Sequence, residues 1–87
     1  MQDTIIVAVG VAGPAGLLVR SASDFKIAQR LDDVSNRAVE DSFLALVNCH
    51  ELAFESTALG KRYHLTDVGQ VHYSNLRAPS RSAYFVS

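Results

Sequence analysis

The chain has 87 residues, a length that can enclose one apolar core but lacks the material for a second. Hydrophobic residues make up 48% of the sequence and charged residues 20%, a composition typical of a folded domain and too apolar for a disordered tail. The formal net charge is −1, but residues 1–59 carry four basic and eight acidic side chains, whereas residues 60–87 carry four basic and one acidic. We therefore expect any anion-binding surface to lie mainly in the C-terminal third.

The cysteine count and the first apolar run indicate in which compartment the protein is expected to work. Cys49 is the only cysteine, which excludes an internal disulfide and a cysteine-rich zinc site and favours a reducing, cytoplasmic setting. The uncharged run from Thr4 to Val19 is shorter than the roughly 20 residues that span a bilayer. Glycines and a proline interrupt it, and Asp3 replaces the positive charge of a signal peptide. A membrane location is therefore not expected.

The same run favours a buried or dimer-forming helix over a strand or a targeting segment. Proline is tolerated in the first turn of a helix and not in its middle. We therefore expect a helix from Asp3 to Val11, a break near Gly13-Pro14, and a second helical part from Pro14 to Arg20. The β-branched residues at positions 5–7 and 9 favour a strand locally and leave that alternative open.

Two further helices are predicted from their N-terminal caps. Residues 21–24 have the form of a capping box, and an apolar stripe follows at helical spacing, formed by Phe25, Ala28 and Leu31, with Ile27 four residues before Leu31. Asp32-Asp33 predicts a turn. Ser35 is the next N-cap, and the inward positions of a helix of about 15 residues follow it: Val39, Phe43, Leu46, Val47 and His50.

After His50 the apolar pattern changes to a period of two, which predicts a β-hairpin. Leu52 and Phe54 belong to its first strand, Tyr63 and Leu65 to its second, and the tip lies near residues 58–61. A final helix is predicted to be capped by Thr66, to begin at Asp67 and to face inward through Val68, Val71 and Leu76. We expect one domain over residues 1–78 and a C-terminal tail over residues 79–87, with a possible short strand at residues 84–86.

Three segments in this order resemble MarR-like and PadR-like transcription regulators. Phe25–Leu31 resembles the first helix of their helix-turn-helix, where an Ile-Ala pair and the following Leu pack against the next helix. Val34–Val39 resembles the entry to their recognition helix, and Gly60–Gly69 is similar to the second wing strand and the Leu-Thr-x-x-Gly motif after it. The resemblance covers residues 24–76 and implies an α+β winged helix-turn-helix domain, with three or four helices and a β-hairpin wing.

The resemblance also implies a function, a homodimeric transcriptional regulator that binds double-stranded DNA. The recognition helix, about residues 35–49, would enter the major groove, and the wing, residues 57–64, would contact the backbone or the minor groove. The apolar N-terminal segment, and the final helix with it, would form the dimer. The site residues implied are Ser35, Asn36, Arg37, Ala38, Lys61 and Arg62, with Ser23, Arg77 and Arg81 as supporting contacts.

Two departures from the family pattern leave a second function open. Glu40 and Asp41 occupy the exposed face of the recognition helix, where they repel phosphate and where Arg37 can pair with them instead of with a base. His50 stands where the family has the glycine that turns the helix into the wing, and histidine tolerates a left-handed backbone better than a β-branched residue. The alternative is a winged-helix protein–protein interaction module that uses this acidic helix face.

Catalytic, metal and cofactor sites are not predicted. The three histidines lack the i, i+4 pairing of a helical zinc site, and the neighbouring side chains of residues 49–51 point in different directions. No Lys-Ser/Thr pair follows the N-terminal glycines, as a phosphate-binding loop would require. Because no serine, histidine and acid arrangement suggests a triad either, we expect a protein that is not an enzyme.

Overall fold

The computed structural model describes residues 1–77, which form four α-helices and a three-stranded antiparallel sheet. The helices are α1 (Gln2–Ala12), α2 (Ala22–Gln29), α3 (Asn36–Asn48) and α4 (Asp67–Arg77). The strands are β1 (Leu17–Val19), β2 (Leu52–Thr57) and β3 (Gly60–Leu65), with β3 in the centre. The predicted fold class is confirmed, because this is a small α+β domain of the winged-helix type.

Three hydroxyl caps start the last three helices where the sequence predicts them. The Ser21 Oγ accepts a hydrogen bond from the Asp24 backbone N–H at 3.1 Å, and the Ser35 Oγ accepts one from Ala38 at 3.1 Å. The Thr66 Oγ1 accepts one from the backbone N–H of Gly69, also at 3.1 Å. Each cap satisfies an orphan N–H of a first turn, which fixes where α2, α3 and α4 begin.

The core lies where one face of α1, one face of α3 and the inner face of the sheet meet. The Phe43 ring of α3 is at its centre, 5.0 Å from the Phe25 ring and 4.4 Å from the Tyr63 ring between centroids. The buried residues are Ile5, Ile6, Val9, Phe25, Val39, Phe43, Leu46, Leu52 and Tyr63. Because the apolar residues of α3 pack into this core, the opposite face of the helix is exposed to solvent beside the hairpin.

The predicted helical part from Pro14 to Arg20 is wrong. Residues 13–15 form one 3-10 turn, and Leu17–Val19 form β1, which pairs antiparallel with the central strand β3. Gly13 and Gly16 have φ values of 80° and 83°, so the chain leaves the helix in conformations that glycine adopts readily. A Cβ at Gly16 would also lie 2.8 Å from the Tyr63 carbonyl oxygen. Backbone pairing with a distant strand decides the structure of this segment.

Two predicted inward faces are right only in part: Phe25 is buried and Leu31 and Leu76 pack against the core, whereas four other predicted members are exposed. Ile27 and Ala28 are exposed, because α2 stops at Gln29 and its last turn is left open to solvent. Val68 and Val71 are 55% and 61% exposed. The inward stripe of α4 instead starts one residue later, on residues that recur at helical spacing: Gly69, His72, Tyr73 and Leu76. A Cβ at position 69 would collide with the Glu51 carbonyl oxygen, so only glycine permits this contact.

The junction between α3 and β2 turns at His50. Helix α3 ends at Asn48, and His50 follows with φ 62°, the left-handed conformation that the resemblance implies for this position. The hairpin then turns through residues 58 and 59, within the predicted tip. Thr57 stabilises the turn, since its hydroxyl donates to the Gly60 carbonyl oxygen at 2.7 Å and accepts from the Leu59 N–H at 3.2 Å.

Three predictions remain: the dimer-forming N-terminal segment, the absence of a membrane span and the C-terminal tail. The predicted dimer-forming N-terminal segment places Ile5, Ile6 and Val9 in the core of the chain itself and leaves Val7 and Val11 exposed. None of the helices within residues 1–77 has the length and apolar character needed to cross a membrane. The predicted tail over residues 79–87, including Arg81 and the possible strand at residues 84–86, lies outside the described residues.

Candidate nucleic-acid interface

The N-terminus of α3 carries four of the six predicted site residues. Ser35 caps the helix through Ala38, and Asn36 donates its side-chain N–H to the Ser23 hydroxyl at 2.9 Å. This bond joins the start of α3 to the first turn of α2 at the predicted site. Ser35 and Asn36 are exposed and Ala38 is half-buried.

Arg37 is the charged residue of this helix end. Its side chain is 90% exposed, and its Nε lies 3.9 Å from the Asp41 Oδ2, one helical turn further on. An exposed i, i+4 pair of this length contributes roughly 0.3–0.5 kcal/mol and is screened by salt. Such a pair is easily exchanged for a phosphate, so Arg37 is held in place by Asp41 without being fully neutralised.

The two predicted wing residues lie on opposite faces of the central strand β3. Lys61 is paired with Val19 and Ser56, and Arg62 is paired with Leu18 and Glu55. Successive residues of a strand alternate between faces, so Lys61 shares the inner face with the buried Tyr63, whereas Arg62 lies on the outer face. Neither cation lies in the two-residue turn at 58–59. The sequence prediction groups Lys61 and Arg62 as wing contacts, whereas in the structure their side chains lie on opposite faces of the sheet.

A groove of about 690 Å³ separates the exposed side of α3 from the inner face of the sheet. Phe43, Phe54 and Tyr63 lie along its floor, with the Phe54 and Tyr63 ring centroids 5.7 Å apart. Lys61 lines the sheet side, where its Nζ lies 4.9 Å from the Phe54 ring centroid. This cation–π contact keeps the ammonium group close to the Phe54 ring.

Charges of both signs line this groove, and they are segregated. Glu40 and Asp41 belong to the α3 side, whereas Arg20 and Lys61 belong to the β1–β3 side. Arg20 is a candidate that sequence reasoning missed, because its position depends on the pairing of β1 with β3. No local signal identifies Arg20, since a three-residue strand has no readable period.

Arg77, the supporting contact predicted at the end of the last helix, lies on a different element from the other predicted site residues. Arg77 ends α4, where its Nη1 donates to the Tyr73 hydroxyl at 3.5 Å and its guanidinium lies 5.6 Å from the Tyr73 ring centroid. Helix α4 packs on α1 and β3. Arg77 is therefore engaged with its own helix, on an element separate from α2 and α3.

Tyr63 and Cys49 are two further titratable groups near α3. Burial raises the pKa of the Tyr63 hydroxyl, so this group stays neutral at physiological pH. Cys49 is exposed at the C-terminal end of α3. Within residues 1–77, no group of three histidine, cysteine or acidic side chains has an arrangement that could hold a metal ion.

Comparison with known proteins adds information about the fold. No family model matches the chain, and no curated protein matches it. The crystal structure of SSV1 F-93 is similar, with a TM-score of 0.63 and 16% sequence identity. The alignment covers 99% of this chain and 92% of that chain. The chain thus shares a fold with SSV1 F-93 over nearly its whole length.

Proposed function

We propose that this protein is a cytoplasmic transcriptional regulator that acts by binding double-stranded DNA as a homodimer. One observation carries the proposal: the exposed side of α3 and the β2–β3 hairpin border the same groove, so both can approach one ligand. In a winged helix this pair of elements straddles a DNA strand, with the helix in the major groove and the hairpin beside it. The positive end of the α3 dipole adds to the attraction for phosphate.

Residue roles follow from these positions. Arg37, Asn36 and Ser35, at the free end of α3, are proposed to contact base edges and the nearest phosphates. Lys61 is proposed as a phosphate contact from the groove side of the hairpin. Arg62, on the outer face, reaches the same duplex when the hairpin enters the minor groove edge-on. The Arg62→Ala substitution therefore reports how deeply the wing inserts.

The test is a fluorescence anisotropy titration of a random-sequence duplex and a promoter pool at several salt concentrations. We expect Arg37→Ala and Lys61→Ala each to weaken binding and to reduce the slope of log K against log salt by about 0.9, the loss of one phosphate contact. Arg77→Ala is the matched control, because it removes the same charge from α4. Equal effects from all three variants, or no binding below about 10 μM at low salt, would reject the proposal.

The acidic residues of α3 favour a second candidate function, a protein-binding module. Glu40 is exposed and makes no ion pair within the described part of the chain, and Leu44, one turn further along the helix, is 58% exposed. The Glu40→Gln substitution separates the two functions. If the protein binds DNA, this substitution removes a repulsion and raises the affinity for DNA. If it binds a basic protein partner, the same substitution removes an attraction and lowers the affinity for that partner.

A further inference from the structure

One side-chain hydrogen bond connects α2 and α3 at the start of α3. The Asn36 Nδ2 donates to the Ser23 Oγ at 2.9 Å, across 13 positions of sequence. Asn36 is the first residue of α3 and Ser23 is the second residue of α2, and both are exposed. Water competes for exposed polar groups, so such a bond contributes little to the net stability of the fold. Its main effect is local, because it restricts the orientation of the Asn36 amide.

The bond leaves part of this amide available to a ligand. A side-chain amide has one carbonyl oxygen that accepts and two N–H groups that donate. The bond to Ser23 uses one N–H, and within residues 1–77 the carbonyl oxygen and the second N–H of Asn36 have no other partner. Asn36 therefore presents an acceptor and a donor side by side at the exposed N-terminal end of α3.

An acceptor beside a donor matches one base in the major groove. Adenine presents the N7 acceptor beside the N6 amino donor, whereas guanine presents two acceptors, cytosine one amino donor and thymine an acceptor beside a methyl group. An asparagine amide can therefore form a pair of hydrogen bonds with adenine and with none of the other three bases. The N-terminal residues of a recognition helix are the ones that contact base edges. A side chain that is already oriented also loses less conformational entropy on binding.

We propose that Asn36 reads an adenine in the major groove and that Ser23 is a positioning residue for it. The Asn36 carbonyl oxygen accepts from the adenine N6 amino group, and its second N–H donates to N7. Ser23 holds the amide in this orientation before the DNA arrives. This inference rests on the proposed DNA binding and deepens it, because it names the base that one residue of α3 recognises.

The probe is a pool of random-sequence duplexes of about 20 base pairs, long enough for two half-sites, from which the full 87-residue chain selects sequences at low salt. In the enriched duplex each adenine is replaced in turn by 7-deazaadenine, which keeps the pairing with thymine and lacks the N7 acceptor. We expect one adenine in each half-site at which this replacement weakens binding of the parent protein about tenfold. Asn36→Ala should bind the original and the replaced duplex equally.

Substitutions of Ser23 separate positioning from folding. We expect Ser23→Ala to keep the melting temperature of the parent and to lower its discrimination between the two duplexes severalfold. Ser23→Thr keeps the hydroxyl group and should restore the discrimination. Ser42→Ala is the matched control, because it removes a serine hydroxyl that donates to the Ala38 carbonyl oxygen within α3. It should leave the discrimination unchanged.

Three outcomes would overturn the inference while DNA binding itself stands. The pool yields no adenine that is sensitive to the replacement, Asn36→Ala weakens binding to every duplex equally, as loss of a phosphate contact would, or Ser23→Ala discriminates as well as the parent. A parent protein that binds no duplex in the pool would instead reject the proposed function, and this inference with it.

Discussion

His50 is one of two residues other than glycine, with Arg30, that have a left-handed backbone in the described part of the chain. Its φ of 62° is the left-handed conformation, which costs a residue with a Cβ roughly 1–2 kcal/mol relative to glycine. Its carbonyl oxygen accepts the Thr66 hydroxyl hydrogen bond, so its backbone also connects α3 to the start of α4. Both properties belong to the backbone, and the exposed imidazole contributes to neither.

Replacing His50 with glycine should therefore stabilise the protein. We expect His50→Gly to raise the free energy of unfolding by about 0.5–1 kcal/mol, because the gain in the folded state exceeds the added entropy of the unfolded chain. Urea denaturation followed by circular dichroism measures this. His64→Gly is the matched control, since His64 lies in β3 with an ordinary backbone, and it should lower stability. A His50→Gly protein no more stable than the parent would contradict this account.

At the same scale, some side-chain contacts can be predicted from the sequence and others cannot. The spacing of Arg37 and Asp41 indicates an i, i+4 pair, and the structure has one at 3.9 Å. The placement of Arg20 beside Lys61 in one groove requires the register of two strands that are far apart in the chain. Local periodicity contains no information about that register.

Among the secondary-structure elements, α4 is linked to α1 and to the turn before β2 by the side chain of His72, in addition to its apolar packing. The His72 Nδ1 bonds the Glu51 carboxylate in the turn before β2, and its Nε2 lies 3.1 Å from the Asp3 carboxylate of α1. The hydrogen bond to Glu51, supported by Asp3, raises the pKa of His72 against the opposing effect of burial. Protonated His72 therefore joins three elements that are far apart in sequence.

This contact predicts how stability depends on pH. Because the folded-state pKa lies above the unfolded value of about 6.5, the contribution of His72 is fully present below pH 6.5. It is lost as the pH rises through the folded-state pKa. We expect the difference in melting temperature between the parent and His72→Gln to be larger at pH 5.5 than at pH 8.5. A difference that is constant with pH would contradict the assignment.

The elements themselves were predictable where local chemistry determines them. Caps at Ser21, Ser35 and Thr66 set the starts of three helices, and alternation set the hairpin. Strand β1 was not predictable, because three apolar residues after Gly16 show no period and gain their structure from pairing with β3. The inward face of α4 was misassigned for a similar reason. The close approach of Gly69 to the Glu51 carbonyl, a tertiary contact, determines its rotation.

At the scale of the whole molecule, the proposed reading of two half-sites one DNA turn apart, about 34 Å, requires two copies of the chain, because each copy has one α3 helix. Val7 and Val11 on α1 and Val68 and Val71 on α4 are exposed in pairs at helical spacing, on elements other than α3. We therefore expect α1 and α4 to form the dimer surface and leave both α3 helices free.

Charge substitutions on these helices test the dimer. We expect the parent protein to have twice its chain mass of 9.4 kDa by light scattering at tens of micromolar, and the Val11→Asp/Val71→Asp double variant to have the monomer mass. Leu44→Asp places the same charge on an exposed apolar position of α3 and should leave the dimer intact. A monomeric parent, or a dimer broken by Leu44→Asp alone, would show that α1 and α4 are not the interface.

The central claim, that α3 and the hairpin bind one duplex together, is tested most directly by NMR. Amide shifts of the labelled protein are followed as a duplex of about 20 base pairs, long enough for two half-sites, is added at low salt. The account predicts that the largest changes fall in residues 35–41 and 60–62 in the same titration, with α4 little affected. Changes confined to α1 and α4, or changes at α3 without any at β3, would contradict it.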